Sequence, residues 1–195
     1  RGYGRTDYRT YAVITWRSLM ITDEMWDSMI LVEGIQLLPI KKYGIPVPDY
    51  YISKCGQLWS TKTNDWRVKV ANFRDKADKK PKNQSINLST VGQPFWDAGH
   101  KFKRKRPSGN TIEIKMAVHH MVKLSWHPFE YYSHEVGISK EAWDSCHPEI
   151  KKFMYEHLSV DHDDDNPMNN HLSNLFYTTP LRNSNYRKLW RSEVA

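Results

Sequence analysis

Residues 160–183 constrain the fold more than any other stretch of the chain. The segment Val160-Asp161-His162 reads as the end of a strand, and residues 163–171 form a polar loop of Asp, Asn and Pro that reverses the chain. Residues 172–178 read as a second strand returning beside the first. Thr179 is placed to cap a helix that starts at Pro180. Asn183 then falls in the first turn of that helix, facing back toward the strand ends. Only a hairpin followed by a helix brings Asp161, His162 and Asn183 to one point. A carboxylate and an amide oxygen suit a hard divalent ion, and an adjacent imidazole suits a base.

Three other readings compete for the same residues. Asp161-x-Asp163-x-Asp165 begins like a calcium loop, but the sixth position is Asn166 rather than glycine and the twelfth is Leu172 rather than glutamate. A solvated acidic turn held by its own Asp and Asn side chains is the ordinary fate of such a run. A zinc site of His157, His162 and His171 has no recognised ligand spacing.

Net charge is +7, and its distribution is uneven. Residues 46–110 carry 14 basic and 5 acidic side chains, whereas the rest of the chain is close to balanced. One segment thus holds the surplus, as a polyanion-binding surface would. Within it, Lys101, Lys103, Arg104, Lys105 and Arg106 read as a basic strand that ends in the turn Pro107-Ser108-Gly109-Asn110. A hydrophobic fraction of 39% with 13% aromatics argues against a disordered chain. No apolar run reaches the roughly eighteen residues of a membrane span, and no basic-then-apolar leader precedes the first elements. Cys55 and Cys146 are too far apart for a metal knuckle, so a cytoplasmic location is expected.

Three regions follow. Residues 1–45 read as a helical extension, with Thr22 as cap, Trp26, Met29 and Ile30 at helical spacing, and Gly34 as stop. Residues 46–110 read as a basic, β-rich region. It includes two short strands around a glycine turn at Gly56 and a strand-like Ile86-Asn87-Leu88. Residues 111–195 begin with an alternating strand, Thr111 to Lys115, and a helix whose apolar stripe is Val118, Met121, Val122 and Trp126. A helical segment at about 128–157 is inserted there, with His147-Pro148-Glu149 as a helix start. The fold class is α+β.

Several separate points in the chain resemble one family. Val160-Asp161-His162, Asp165-Asn166-Pro167, Asn169-Asn170, Leu172-Ser173-Asn174-Leu175, Tyr177-Thr178-Thr179-Pro180 and Asn183 are similar to the HNH motif of phage homing endonucleases. Tyr51-Ile52-Ser53 with Gly56-Gln57-Leu58-Trp59-Ser60, and Val118-His119-His120-Met121-Val122, resemble elements that precede that motif. Three departures stand out. His120 occupies a place where arginine is expected. About two dozen extra residues precede Asp161. The loop after His162 carries Asp163, Asp164 and Asp165.

The resemblance implies a C-terminal ββα-metal fold binding one divalent cation, Mg²⁺ or Mn²⁺, and no small-molecule cofactor. It implies Asp161 and Asn183 as metal ligands, His162 as general base, and Asn174 as the asparagine that braces the histidine loop. The implied activity is site-specific hydrolysis of double-stranded DNA, leaving 5′-phosphate and 3′-hydroxyl ends. Arg182, Arg187 and Lys188, on or just beyond the last helix, are expected to contact phosphates, with helix-terminal charge as the competing role. A catalytically silent DNA-binding protein and a structural RNA-binding module are the other functional classes. His119 and His120 read as structural, and His157 and His171 as solvent-facing.

Overall fold

The computed structural model describes residues 22–62, the backbone of residues 67–69, and residues 84–183. The expectations for Arg187 and Lys188, and for the lysines and arginines of residues 70–83, lie outside the described residues. Helices and antiparallel strands mix, as α+β requires. A short helix α1 (Asp23–Ser28) leads into β1 (Ile30–Val32), β2 (Ile35–Lys42), β3 (Ile45–Ile52), β4 (Leu58–Ser60) and β5 (Arg67–Lys69). These five strands pair in chain order as an antiparallel meander. A second sheet pairs β6 (Ser85–Val91) with β7 (Thr111–Ala117), with the short helix α2 (Gln93–Asp97) between them in the chain, and a third pairs β8 (Ser159–His162) with β9 (Leu175–Thr178).

The helical reading of the first 45 residues is corrected beyond Ser28. Thr22 does cap α1, its hydroxyl accepting from the Met25 amide. The apolar residues after it, however, lie on strands divided by two-residue turns. Glu33-Gly34 and Tyr43-Gly44 hold positive φ at both central positions, 51° and 78° in the first and 56° and 77° in the second. That is the hairpin turn whose twist matches its flanking strands. Here Gly34 is a turn residue, and Lys42 of β2 pairs with Ile45 of β3.

β7 runs directly into α3 (Val118–Trp126), the pillar of the fold. Val118, Met121, Val122 and Trp126 are buried as their spacing predicts, but so are His119, Lys123, Leu124 and Ser125. The helix packs against β2, β7, β8 and β9. Such all-round burial forces its polar atoms to find partners. Trp126 Nε1 donates to the Ile52 carbonyl at 3.0 Å. Lys123 Nζ donates to Glu135 Oε1 at 2.8 Å and to the Leu175 carbonyl at 2.9 Å.

Residues 128–157 hold α4 (Phe129–Tyr132), a 3₁₀ turn (Ser133–Val136), α5 (Lys140–Ser145) and α6 (Pro148–His157). They add an aromatic cluster to the core, where Phe129 meets Trp143, Tyr155 and Tyr177 edge-on. His147 caps α6 through its ring nitrogen.

Two further expectations are corrected. The run at residues 101–106 is not a strand: only Arg104 makes a bridge, to Ile112. Phe102 is the run's single apolar residue, and it packs on Phe95, so no face of alternating side chains is available to bury. The turn that closes the run is present, with Gly109 donating to the Arg106 carbonyl at 3.0 Å. The second hairpin strand begins at Leu175 rather than Leu172, because Leu172–Asn174 forms a 3₁₀ turn. Leu172 is held there by its amide, which donates to the Lys54 carbonyl at 2.8 Å, and by burial of its side chain.

Lys123 is 1% exposed and its ammonium ties α3 to both the inserted segment and β9. Lys123→Met leaves Glu135 without its cation and is expected to cost about 3 kcal/mol, the scale of breaking a buried ion pair. Urea unfolding of the two proteins reads the difference, and equal midpoints would contradict it.

Candidate active site

The β8–β9 pair sets Asp161 opposite Phe176 and His162 opposite Leu175. Asp161 and His162 close the strand as buried residues, 9% and 6% exposed. The His162 amide donates to the Asp161 carboxylate at 3.0 Å. After β9, Thr179 caps a helical turn at residues 180–183. Its hydroxyl accepts from the Arg182 amide at 3.3 Å and its carbonyl from the Asn183 amide at 3.0 Å. Asn183 therefore lies in the first turn of that helix, the place read from sequence.

The loop between the strands is organised by Asp164 and Asn174. The Asp164 carboxylate accepts from the Asn166 amide at 2.9 Å, the Asn169 side chain at 2.7 Å and the Asn174 side chain at 2.8 Å. Those donors hold its pKa below the usual carboxylate range, the Asn169 amide foremost. Asn174 Oδ1 in turn accepts from the Asp164 amide at 3.0 Å, and Asn174 Nδ2 also donates to the Asn169 carbonyl at 2.9 Å. Asp165 adopts φ 55°, a left-handed turn that aspartate tolerates. Of the three loop acids, Asp164 is thus the hub.

His162 has neighbours that its sequence position does not reveal. Its Nε2 lies 3.1 Å from Asn170 Oδ1, and its ring centroid is 4.8 Å from that of His119. His119 also meets His120 edge-on at 4.7 Å. Burial, then the neighbouring His120 and His162, pushes the His119 pKa down to about 2. Burial, then Lys42 and His162, pushes His120 down to about 4. Both rings are therefore neutral at physiological pH, which fits a structural role on α3. His157 and His171 are exposed.

Among the described residues no group of three or more His, Cys, Asp and Glu side chains could hold a metal ion. The donor pair read from sequence is of another kind, one buried carboxylate at Asp161 and one amide oxygen at Asn183. Such hard oxygen donors suit Mg²⁺ or Mn²⁺, whose shell takes waters and phosphate oxygens readily.

The basic run lies on the surface. Lys101, Lys103, Arg104, Lys105 and Arg106 are all exposed. The Arg104 guanidinium stacks over the Trp96 ring at 4.5 Å and donates to the Gly109 carbonyl at 3.3 Å. Arg182 is exposed too, its guanidinium donating to the Glu135 carbonyl at 3.3 Å. Among the described residues no helix is long and apolar enough to cross a membrane.

No family model matches the chain, and no curated protein matches it. One solved structure, "DNA binding and cleavage by the HNH homing endonuclease I-HmuI", is similar, with 17% sequence identity and a TM-score of 0.39. The alignment covers 84% of this chain and 59% of that one, so the chain spans less than two thirds of that protein's length.

Neutral His119 and His120 make stability depend on pH. Unfolded, each titrates near the reference value of about 6.5, so below that pH the unfolded chain binds more protons than the folded one. Their contribution is whole above about pH 6.5 and is lost as pH falls toward the folded value of about 4 for His120. The loss approaches about 1.4 kcal/mol per pH unit for each histidine. Urea midpoints measured across that window should fall, and His120→Gln should flatten the decline; a flat wild-type profile would rule this out.

Proposed function

We propose that the chain is an HNH-type DNA endonuclease that hydrolyses a phosphodiester bond with one divalent cation and His162 as general base. The observation that carries this reading is the end of β8. There Asp161 and His162 emerge side by side from a buried strand, and a loop braced by Asn174 and Asp164 holds their position. An acidic turn with no further role does not require a buried imidazole beside a buried carboxylate.

Asp161 and Asn183 would hold the cation, which when bound stabilises the negative charge developing on the phosphate oxygens. The residues of the chain do the rest. His162 takes the proton from the attacking water, and its contacts with Asn170 and His119 orient the ring toward it. Asn174 keeps the loop closed through its three side-chain hydrogen bonds, which hold the chain where it leaves β8 after His162. The expected ends are 5′-phosphate and 3′-hydroxyl. Double-stranded DNA is the proposed partner, with the exposed run at residues 101–106 tracking its backbone and Arg182, Arg187 and Lys188 contacting phosphates near the scissile bond.

His162→Ala should lose about 10²–10⁴-fold in cleavage rate, the range of a general base, while DNA affinity is retained. Asp161→Ala and Asn183→Ala should lower the rate and raise the concentration of Mg²⁺ or Mn²⁺ needed to reach half of it. Cleavage rates measured against metal concentration separate these effects. An unchanged rate in His162→Ala would remove it as the base, and an unchanged metal requirement in both other variants would remove them as ligands.

Phosphate contacts release counterions, each contributing about 0.9 to the log–log salt slope of DNA affinity. Replacing Lys103, Arg104 and Lys105 by alanine should lower the magnitude of that slope by about two to three. An unaltered slope would leave the run a solvated surface.

A further inference from the structure

His162 can serve as a base only through a nitrogen that carries a lone pair, and in a neutral imidazole just one of the two does. The nitrogen that does so is decided by what the other one binds. Here Nε2 lies 3.1 Å from the side-chain oxygen of Asn170, and both residues are buried, at 6% and 4% exposure. An amide oxygen accepts hydrogen bonds and cannot donate them. The pair is therefore a hydrogen bond only when Nε2 holds the proton.

The second hydrogen bond opposes turnover of the amide. Asn170 Nδ2 donates to Gln84 Oε1 at 3.0 Å, so inverting the Asn170 amide while Gln84 keeps its orientation would set its oxygen against the Gln84 oxygen and its NH₂ against Nε2. The backbone beneath it is fixed as well. Gly56, at φ 84°, closes the β3–β4 turn so tightly that an added Cβ would lie 3.1 Å from the Asn170 Cβ and 2.9 Å from a Val118 methyl. Two residues beyond Asn170, the Leu172 amide is tied to the Lys54 carbonyl of the same turn.

We propose that Asn170, oriented by Gln84, is a positioning pair that keeps the proton of neutral His162 on Nε2 and leaves Nδ1 as the nitrogen that accepts from water. This deepens the endonuclease reading and rests on His162 being its base. Asn170 touches neither substrate nor metal in this account; it acts through the ring. Gln84 immediately precedes β6, so the first strand of the second sheet helps set the chemistry at the end of β8. An inverted amide would occupy the Nε2 lone pair and place the proton on Nδ1, the wrong side for the water.

The test uses the full-length protein labelled with ¹⁵N at histidine, at a pH where the ring is neutral. Two-bond ¹H–¹⁵N correlations report which ring nitrogen is protonated, and single-turnover cleavage of DNA is followed beside them. Wild type and Asn170→Asp, which keeps an acceptor, should show the Nε2–H form of His162. Asn170→Leu should show a mixture of tautomers and a cleavage rate lower by roughly ten- to a hundredfold, with DNA affinity unchanged. Asn170→Asp should recover most of that rate. Gln84→Met, which frees the amide without touching Asn170, should give the same mixture even if Asn170→Leu does not fold. A wild type that cuts DNA with His162 protonated on Nδ1 overturns the pair, as does a tautomer unaffected in Asn170→Leu and Gln84→Met. A wild type that carries the Nε2 proton but cuts no DNA overturns the base itself, and with it the role given to Asn170.

Discussion

One helix with almost no solvent-facing surface organises the molecule. Eight of the nine residues of α3 are buried, so the helix must satisfy sheets on several sides at once. Each polar atom it carries inward then fixes a neighbour. Lys123 reaches the inserted segment through Glu135 and the last strand through the Leu175 carbonyl. The Ser125 hydroxyl accepts from the β2 backbone at 3.4 Å, and Trp126 holds the end of β3. Near its N-terminus, His119 lies against His162. The candidate site thus lies against a core assembled around one element.

That dependence separates what is rigid from what is adaptable. Asp161 and His162 sit on a strand pinned by its pairing, while the polar loop beyond them has few apolar contacts and relies on hydrogen bonds. Asp164 and Asn174 each use several polar atoms there, giving a surface loop the order that a core normally supplies. The three acids that look in sequence like a charge cluster divide into one hub, Asp164, and two neighbours outside it. A positive ion has no need to gather all three.

Legibility in the sequence followed the range of the interaction concerned. The Gly56 turn, the β7–α3 junction, the His147 and Thr179 caps and the strand ending at Asp161-His162 depend on neighbours a few residues away, and each stands where its local pattern places it. In residues 30–42, Ile, Leu and Val repeat at spacings that suit either a helix or a buried strand. The Glu33-Gly34 and Tyr43-Gly44 dipeptides decide for hairpins. The run at residues 101–106 has no apolar periodicity of either class and takes its course from Phe102 and the Arg104–Trp96 stack. Asn170 is the clearest case of a residue hidden by range. Its partners lie 8 and 86 positions away, and nothing in its own neighbourhood distinguishes it from Asn169.

The proposed activity is metal-dependent hydrolysis of DNA at the Asp161-His162 end of β8. The most direct measurement incubates the full chain with supercoiled plasmid and Mg²⁺, with and without a chelator, and then treats the products with DNA ligase. Nicked or linear DNA should appear only when the metal is present, and ligase should reseal nicks without prior end treatment, because hydrolysis leaves 5′-phosphate beside 3′-hydroxyl. Plasmid that stays supercoiled with Mg²⁺ or Mn²⁺, or nicks made equally well in the chelator, would contradict the account.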